Sequence, residues 1–337
     1  MDSPQSDPER GAGKPVDGEF DLIYRYFALG AAKGSHEGVV LGIGDDAAIL
    51  RVPDGADLVA AVDTIVESRH FPGGSDPRSI GHRALAVNLS DLAAMGATPA
   101  WATLALTMPH AHADWLDGFS RGLLELSNRH GVALVGGDTT RGPLTVSIQL
   151  LGFLPRGEAL RRDGALAGDL LAVSGTLGDA GAGLALVQGR MSAAAGHAAE
   201  LVRRFEYPTP RVEFGLAARG IASAAMDVSD GLAGDLPKLA AASGLAAHVD
   251  VDRLPMSQAL RASATPEQAR DWALAAGDDY ELLFAVPRQR HQELALAAAR
   301  TGSTLTVIGE LQAGSGVTWS SNGKPFTPAT AGFDHFR

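Results

Sequence analysis

The stretch Ala86-Val-Asn-Leu-Ser-Asp-Leu-Ala-Ala-Met-Gly96 sets the hardest condition on how this chain folds. Asp76-Pro77 predicts a helix start, an N-cap acid followed by proline in the first turn. Ile80, Ala84, Val87 and Leu92 carry it on at helical spacing. The helix then places Asn88, Ser90 and Asp91 in an otherwise apolar run, where a carboxylate is expensive unless something compensates it. A single such acid reads most simply as a buried cap. Asp45-Asp46, Asp63, Asp138, Asp227 and Asp230 stand in comparable Gly- and Ala-rich settings beside strand-like runs. So many acids in apolar company point to bound divalent cations rather than to separate caps.

Composition narrows the class. With 337 residues the chain can bury a substantial core, and two domains are expected. A hydrophobic share of 45% with 20% charged residues is the profile of a globular protein. A net charge of -11 argues against nucleic-acid binding and suits a protein that holds cations. The absence of cysteine excludes disulfides, iron–sulfur clusters, Cys-zinc sites and thiol catalysis. No run reaches the ~18 apolar residues of a membrane span. Residues 1–17 are polar with no apolar centre, unlike a signal peptide, and read as a disordered tail on a cytoplasmic protein.

Order is expected from Glu19-Phe20, with Phe20, Ile23, Tyr24 and Phe27 on one helix face. Val39–Leu41 runs as a strand into Gly42-Ile-Gly-Asp-Asp46, which is equally an exposed acidic turn or a cation site. Leu58–Val62 is a strand ending in Asp63-Thr64, with His70 close behind. After the central helix come a strand at Trp101–Met108 and an amphipathic helix at Asp114–His130, capped by Gly131. Val132–Val135 is a strand expected to open into the turn Gly136-Gly-Asp-Thr-Thr-Arg-Gly-Pro143, whose backbone N–H groups can hold phosphate. A strand at 144–154 closes a first domain, 18–154; 155–168 is the linker, and 169–337 the second domain. There, Gly175–Gly183 turns into a helix, 189–200 reads as an Ala-rich surface connection, and Ala224–Val228 is a strand bearing Asp227. Ser229-Asp-Gly231 opens the next helix and by itself reads as an ordinary N-cap. The alternation of strands and helices, with antiparallel-looking pairs, gives an α+β fold of mixed layers.

Carboxylates with few basic partners suit a hard, oxygen-seeking cation, magnesium first. Zinc has no His-x-x-x-His pair or cysteine cluster to bind. Magnesium between carboxylates and phosphates points to phosphoryl transfer, which needs alignment and charge neutralisation more than a nucleophile. Neither a Gly-x-x-x-x-Gly-Lys-Ser/Thr loop nor a protein-kinase motif set is present. Elementary chemistry ends at a magnesium-dependent enzyme acting on phosphates, with the acceptor open.

Gly42-Ile-Gly-Asp-Asp46, Val62-Asp-Thr64 with His70-Phe71, Asn88-Leu-Ser-Asp-Leu-Ala-Ala-Met-Gly-Ala97 and Gly136-Gly-Asp-Thr-Thr-Arg-Gly142 resemble the thiamine-monophosphate kinases. So do Asp227-Val-Ser-Asp-Gly231, Asp278-Asp-Tyr-Glu281 and Gly332-Phe-Asp-His-Phe336. The motifs keep the family's order from Gly18 to the C-terminus. The resemblance implies ATP-dependent phosphorylation of thiamine monophosphate to thiamine diphosphate. It also implies the two-domain fold of aminoimidazole ribonucleotide synthetase and selenophosphate synthetase, a homodimer paired through the N-terminal sheets. It places Asp46, Asp63, Asp91, Asp138, Asp227 and Asp230 on Mg2+ ions. Gly137, Asp138, Arg162 and Ser229 fall on ATP; His70, Asp278 and Phe333 fall on thiamine phosphate. Against common family forms, Ala61 and Val62 lack hydroxyls, Ser68-Arg69 precedes the histidine, Asp278 replaces a glutamate and Phe333 a tyrosine. The alternatives are another ATP-using synthetase of the same superfamily, or a non-catalytic maturation protein of this fold.

Overall fold

The computed structural model describes Gly18 and residues 22–28, 36–330 and 332–333. The tail 1–17, the start at Glu19-Phe20 and the acidic-aromatic end Asp334-His-Phe336 lie outside the described residues.

The first half is β1 (Val39–Leu41), β2 (Ile49–Leu50), β3 (Ala56–Val66), α1 (Pro77–Ala94), β4 (Thr98–Met108), α2 (Ala113–Arg129), β5 (Ala133–Arg141) and β6 (Thr145–Pro155). The last four strands form one sheet in the order β3-β6-β4-β5, antiparallel except for the parallel β4–β5 pair. Side chains alternate across it, as the pleat requires. Val146, Ile148, Leu150 and Leu154 of β6 point into the core, between partly exposed Ser147, Gln149 and Leu151. Helices α1 and α2 cover the inner face and approach each other closely. A Cβ on Gly81 would run into the Phe119 carbonyl, and one on Gly122 into that of Arg78. On the outer face the β1–β2 ribbon packs over Trp101 and Phe153, leaving Leu58 and Val62 exposed.

The second half runs β7 (Leu170–Ser174), α3 (Asp179–Val187), α4 (Ala195–Glu206), α5 (Val212–Ala218), β8 (Ala224–Val228), α6 (Leu232–Ala242), β9 (Leu245–Asp250), α7 (Gln258–Ser263), α8 (Pro266–Ala275), β10 (Glu281–Val286), α9 (His291–Arg300), β11 (Leu305–Ala313), β12 (Gly316–Ser321) and β13 (Lys324–Phe326). Its seven strands are ordered β13-β12-β9-β11-β7-β10-β8, and only β12–β9 is parallel. Both halves are therefore mixed α/β layers.

Helix α1 joins them. Asp76 caps it as expected, accepting from the Arg78 N–H at 3.2 Å, and fourteen of its eighteen residues are buried. It lies in one continuous core, with Leu89 and Ala93 beside Val212, Phe214 and Phe284 of the second half. A helix buried nearly all round must satisfy each of its polar side chains from within the protein.

The structure departs from the sequence reading at several points. Residues 24–28 form a single π-turn, which buries Tyr26 and Phe27 and turns Tyr24 outward. The wider i→i+5 period of a π-turn rotates the buried face away from the α-helical positions. Gly136-Gly-Asp-Thr-Thr-Arg141 is not a turn but the second half of β5, because β4 supplies a parallel partner along its length. The supposed surface connection at 189–200 contains the start of α4. Helix α7 and strands β12 and β13 were not anticipated.

The helix–helix contact gives a direct test. Gly122→Ala should destabilise the protein by about 1–3 kcal/mol through overpacking. Gly196→Ala, whose Cβ would meet nothing within 4 Å, should leave the melting temperature unchanged or raise it slightly. Equal melting curves for both variants would contradict the close approach of α1 and α2.

Candidate active site

A cavity of about 460 Å³ opens where the two halves meet along α1. Asp63 from β3, Asp91 from α1, Asp227 from β8 and Asp230 from the β8–α6 turn line it, together with Ser229, His70, Asp278 and Phe333. Eight of the sequence-predicted site residues therefore share one wall.

Each is positioned by a local cause. The Asp63 N–H donates to Asn88 Oδ1 at 3.0 Å, and Asn88 Nδ2 donates to the Ala84 carbonyl at 3.0 Å. Ser90 Oγ donates to Asp227 Oδ2 at 2.8 Å. All three polar residues of the apolar stretch thus act at the cavity, two of them by tying strands from different sheets to α1. His70 follows a tight turn in which Ser68 takes a φ of 65°, and its Nδ1 accepts from the Val66 N–H at 3.0 Å. Ser229 and Asp230 do not cap α6 through their side chains. Asp235, inside the helix, reaches back instead and accepts from both their N–H groups, at 3.0 and 2.8 Å. Asp230 also pairs with Lys238 Nζ at 2.6 Å, while the same ammonium touches Asp235 at 2.9 Å.

The turn carrying Asp278 is strained. Asp278 and Tyr280 both take positive φ, 64° and 50°, a conformation that side chains disfavour and surrounding structure must enforce. The enforcing groups lie beneath it. Glu281, wholly buried, accepts from Arg204, Arg211 and Ser174. Burial alone would raise the Glu281 pKa, but Arg211 and Arg204 hold it below its ordinary value. Asp279 accepts from the Gly178 N–H at 2.6 Å and from that of Ala180 at 3.2 Å.

Electrostatics at the cavity are set by burial. Desolvation raises Asp91 to about 8, with repulsion from Asp227 and Asp63 adding to it. Desolvation likewise raises Asp227 to about 7 against the hydrogen bond from Ser90, and raises Asp63. Protonated Asp91 hydrogen-bonds to the Asp63 carboxylate. Among the described residues, no group of three or more His, Asp or Glu already stands in metal-holding geometry. The donor set is nevertheless hard oxygen, with the carboxylates of Asp63, Asp91, Asp227, Asp230 and Asp278 outnumbering the lining arginine, Arg69. That is what magnesium needs when phosphate oxygens and water complete its shell.

Four predicted residues stand elsewhere. Asp46 is exposed between β1 and β2, its N–H bonded to Asp45 Oδ1 at 2.8 Å. Arg162 is exposed outside the cavity wall, although its field lowers Asp91 and Asp227. Gly137 and Asp138 lie on edge strand β5, three strands from β3, or about 14 Å at ordinary strand spacing. Asp138 pairs in register with Ala105 and so faces the outer side of the sheet, opposite to Asp63. The sequence reading missed Lys238, Asp235 and Arg83, since a charged residue on a helix reads as solvated surface until its neighbours are known.

Two domain models match the chain: AIR synthase related protein, N-terminal domain, over residues 44–154, and its C-terminal domain over 167–320. The thiamine-monophosphate kinase of Salmonella typhimurium is 46% identical over 321 residues, covering 95% of this chain and 98% of that protein. The chain belongs to the thiamine-monophosphate kinase family. The crystal structure of thiamine-monophosphate kinase from Stenotrophomonas maltophilia K279a superposes with a TM-score of 0.83 at 45% identity, covering 90% of this chain and 96% of that one. AaThiL complexed with AMPPCP and TMP superposes at 0.74, with 30% identity over 95% of this chain and 97% of that one. The kinase relatives thus match both halves that enclose the cavity.

The raised carboxylates give the metal-free protein a definite pH dependence. Folded Asp91 keeps its proton to about pH 8, whereas the unfolded chain releases it near ~4. The folded state binds the extra proton, so wild type loses stability as pH rises through this window. The amide of an Asp91→Asn variant has no proton to lose. In EDTA, that variant should therefore melt increasingly above wild type from pH 5 to pH 8, the gap levelling off beyond. Parallel melting-temperature profiles would remove the burial argument.

Proposed function

We infer that this protein transfers the γ-phosphoryl group of ATP to thiamine monophosphate, forming thiamine diphosphate. One observation supports the reading above the rest. A chain 46% identical end to end to a thiamine-monophosphate kinase gathers Asp63, Asp91, Asp227, His70, Asp278 and Phe333 around one cavity. In the reading, His70, Asp278 and Phe333 hold thiamine monophosphate, the Phe333 ring giving a face for stacking. Asp63, Asp91, Asp227 and Asp230 orient Mg2+ ions, and Ser229 with Arg162 contacts ATP. A cation at Asp230 would displace Lys238. Bound magnesium would neutralise the facing phosphates, which otherwise repel by about 4 kcal/mol per unit pair at roughly 4 Å and an effective dielectric near 20.

The chain's own task is alignment. A phosphate oxygen of the acceptor is already ionised near neutral pH, so no strong general base is required. With no cysteine available and His70 assigned to substrate, transfer runs directly between the two phosphates. ADP release should depend on thiamine monophosphate and cease in excess EDTA. Turnover in EDTA, or a chemically competent phosphoenzyme trapped from labelled ATP, would refute this scheme.

The domain division 18–154, 155–168 and 169–337 belongs to the same reading, as does a homodimer. The outer face of the first sheet leaves Leu58 at 53% and Val62 at 65% exposure, apolar area that a second sheet would cover. Asp138 faces the same side, and the β1–β2 ribbon that carries Asp46 packs on that face, so both serve the cavity of the partner subunit rather than their own. Complementation tests this. Asp91→Asn and Asp138→Asn enzymes should each be inactive, yet exchange of subunits should restore about a quarter of wild-type turnover, one intact site in half of the dimers. No recovery after verified exchange would place Asp138 in its own subunit's site or in none.

A further inference from the structure

Arg83 has no part in the reading above, yet it is the most deeply buried cation beside the cavity. Its side chain is 2% exposed. Nη2 lies 2.5 Å from Asp278 Oδ1, Nη1 donates to the Phe205 carbonyl at 2.5 Å, and the guanidinium sits 4.6 Å over the Phe205 ring. Its Nε has no hydrogen-bond partner among the described residues. Burying a guanidinium is expensive, and removing its carboxylate partner would leave that charge uncompensated. Burial lowers the Arg83 pKa and Asp278 more than restores it, with Tyr280 helping, so the cation persists at every working pH.

We propose that Arg83 is a positioning residue that fixes the Asp278 carboxylate at the substrate end of the cavity. The inference rests on the reading that Asp278 contacts thiamine monophosphate. Two groups converge on one oxygen: Asp278 Oδ1 stands in ion-pair contact with Arg83 Nη2 and, at 3.2 Å, accepts from the Tyr280 hydroxyl. The backbone beneath is in positive φ at both Asp278 and Tyr280, so the carboxylate is clamped from the chain and from the far helix together. Helical register adds the second half of the argument. Arg83, Val87 and Asp91 stand at i, i+4 and i+8 and share one face of α1. Val87 and Asp91 line the cavity. Eight residues at a 1.5 Å rise set the two charged ends about 12 Å apart. One rigid helix therefore sets both the carboxylates that meet phosphate and, through Arg83, the carboxylate that meets the rest of the substrate.

The test uses full-length Arg83→Met, Arg83→Lys, Asp278→Asn and the double variant Arg83→Met/Asp278→Asn. KM for thiamine monophosphate, KM for ATP, kcat and melting temperature are measured for each. Arg83→Met should raise KM for thiamine monophosphate roughly tenfold or more, as loss of a supporting partner does elsewhere, with KM for ATP unchanged. Arg83→Lys should recover part of the loss. The double variant, which buries no unpaired charge and so tests the proposal even where Arg83→Met fails to fold, should match Asp278→Asn alone. A double variant markedly worse than Asp278→Asn would overturn the inference, as would KM values for both substrates moving together with the melting temperature. If Asp278→Asn leaves KM for thiamine monophosphate unchanged, the substrate-contact reading fails and this inference falls with it. If Asp278→Asn raises that KM and folded Arg83→Met does not, the inference alone fails.

Discussion

Burial of α1 on nearly all sides is the constraint from which the site follows. A polar atom on a surface helix can turn to water, but one on this helix must find its partner inside the protein. Asn88 finds the backbone of Asp63, and Ser90 finds the carboxylate of Asp227. One partner belongs to the first sheet and the other to the second. The hydrogen bonds that satisfy the helix therefore also decide where two acids from distant parts of the chain will stand.

The acids are then held where they are least comfortable. Desolvation and mutual repulsion push Asp91 and Asp227 toward neutrality, and a nearby cation would favour their charged form. Lys238 answers the same demand at the cavity mouth, where Asp230 is exposed enough to accept an ammonium from the chain. Among the described residues the deeper acids have no comparable cation in contact, and the field of Arg162 reaches them from outside the wall.

The turn at Asp278, whose N–H donates to the Ser229 carbonyl at 2.8 Å, follows a different rule. Its backbone is strained, and the strain is tolerated because Glu281 and Asp279 anchor the residues beside it through buried arginines and backbone N–H groups. Rigidity at this turn complements the charge of the cavity acids. Phosphoryl transfer asks for both, since alignment of two phosphates depends on holding the organic part still.

Much of this was legible in the residues. The N-cap at Asp76, the helix through Gly96's neighbours, the mixed layers and the presence of acids that need a compensating partner all follow from local rules: cap chemistry, helical and strand periodicity, and the cost of an acid among apolar side chains. Those rules act within a few residues, so a linear reading reaches them. Other features depend on partners far along the chain. Gly136–Arg141 became a strand because β4 lay parallel to it. Tyr24 turned outward because the turn widened to π. Ser229 and Asp230 were released from capping because Asp235 took the duty. Arg83 acquired a role only when packing carried a strained turn of the second half against the helix of the first. Sequence by itself determined where the acids stand in the chain and which helices and strands carry them, since residue type and local spacing are intrinsic. Only the tertiary structure decided which face of the sheet Asp138 occupies and which carboxylate Arg83 holds, because registry and long-range burial are properties of the assembled chain.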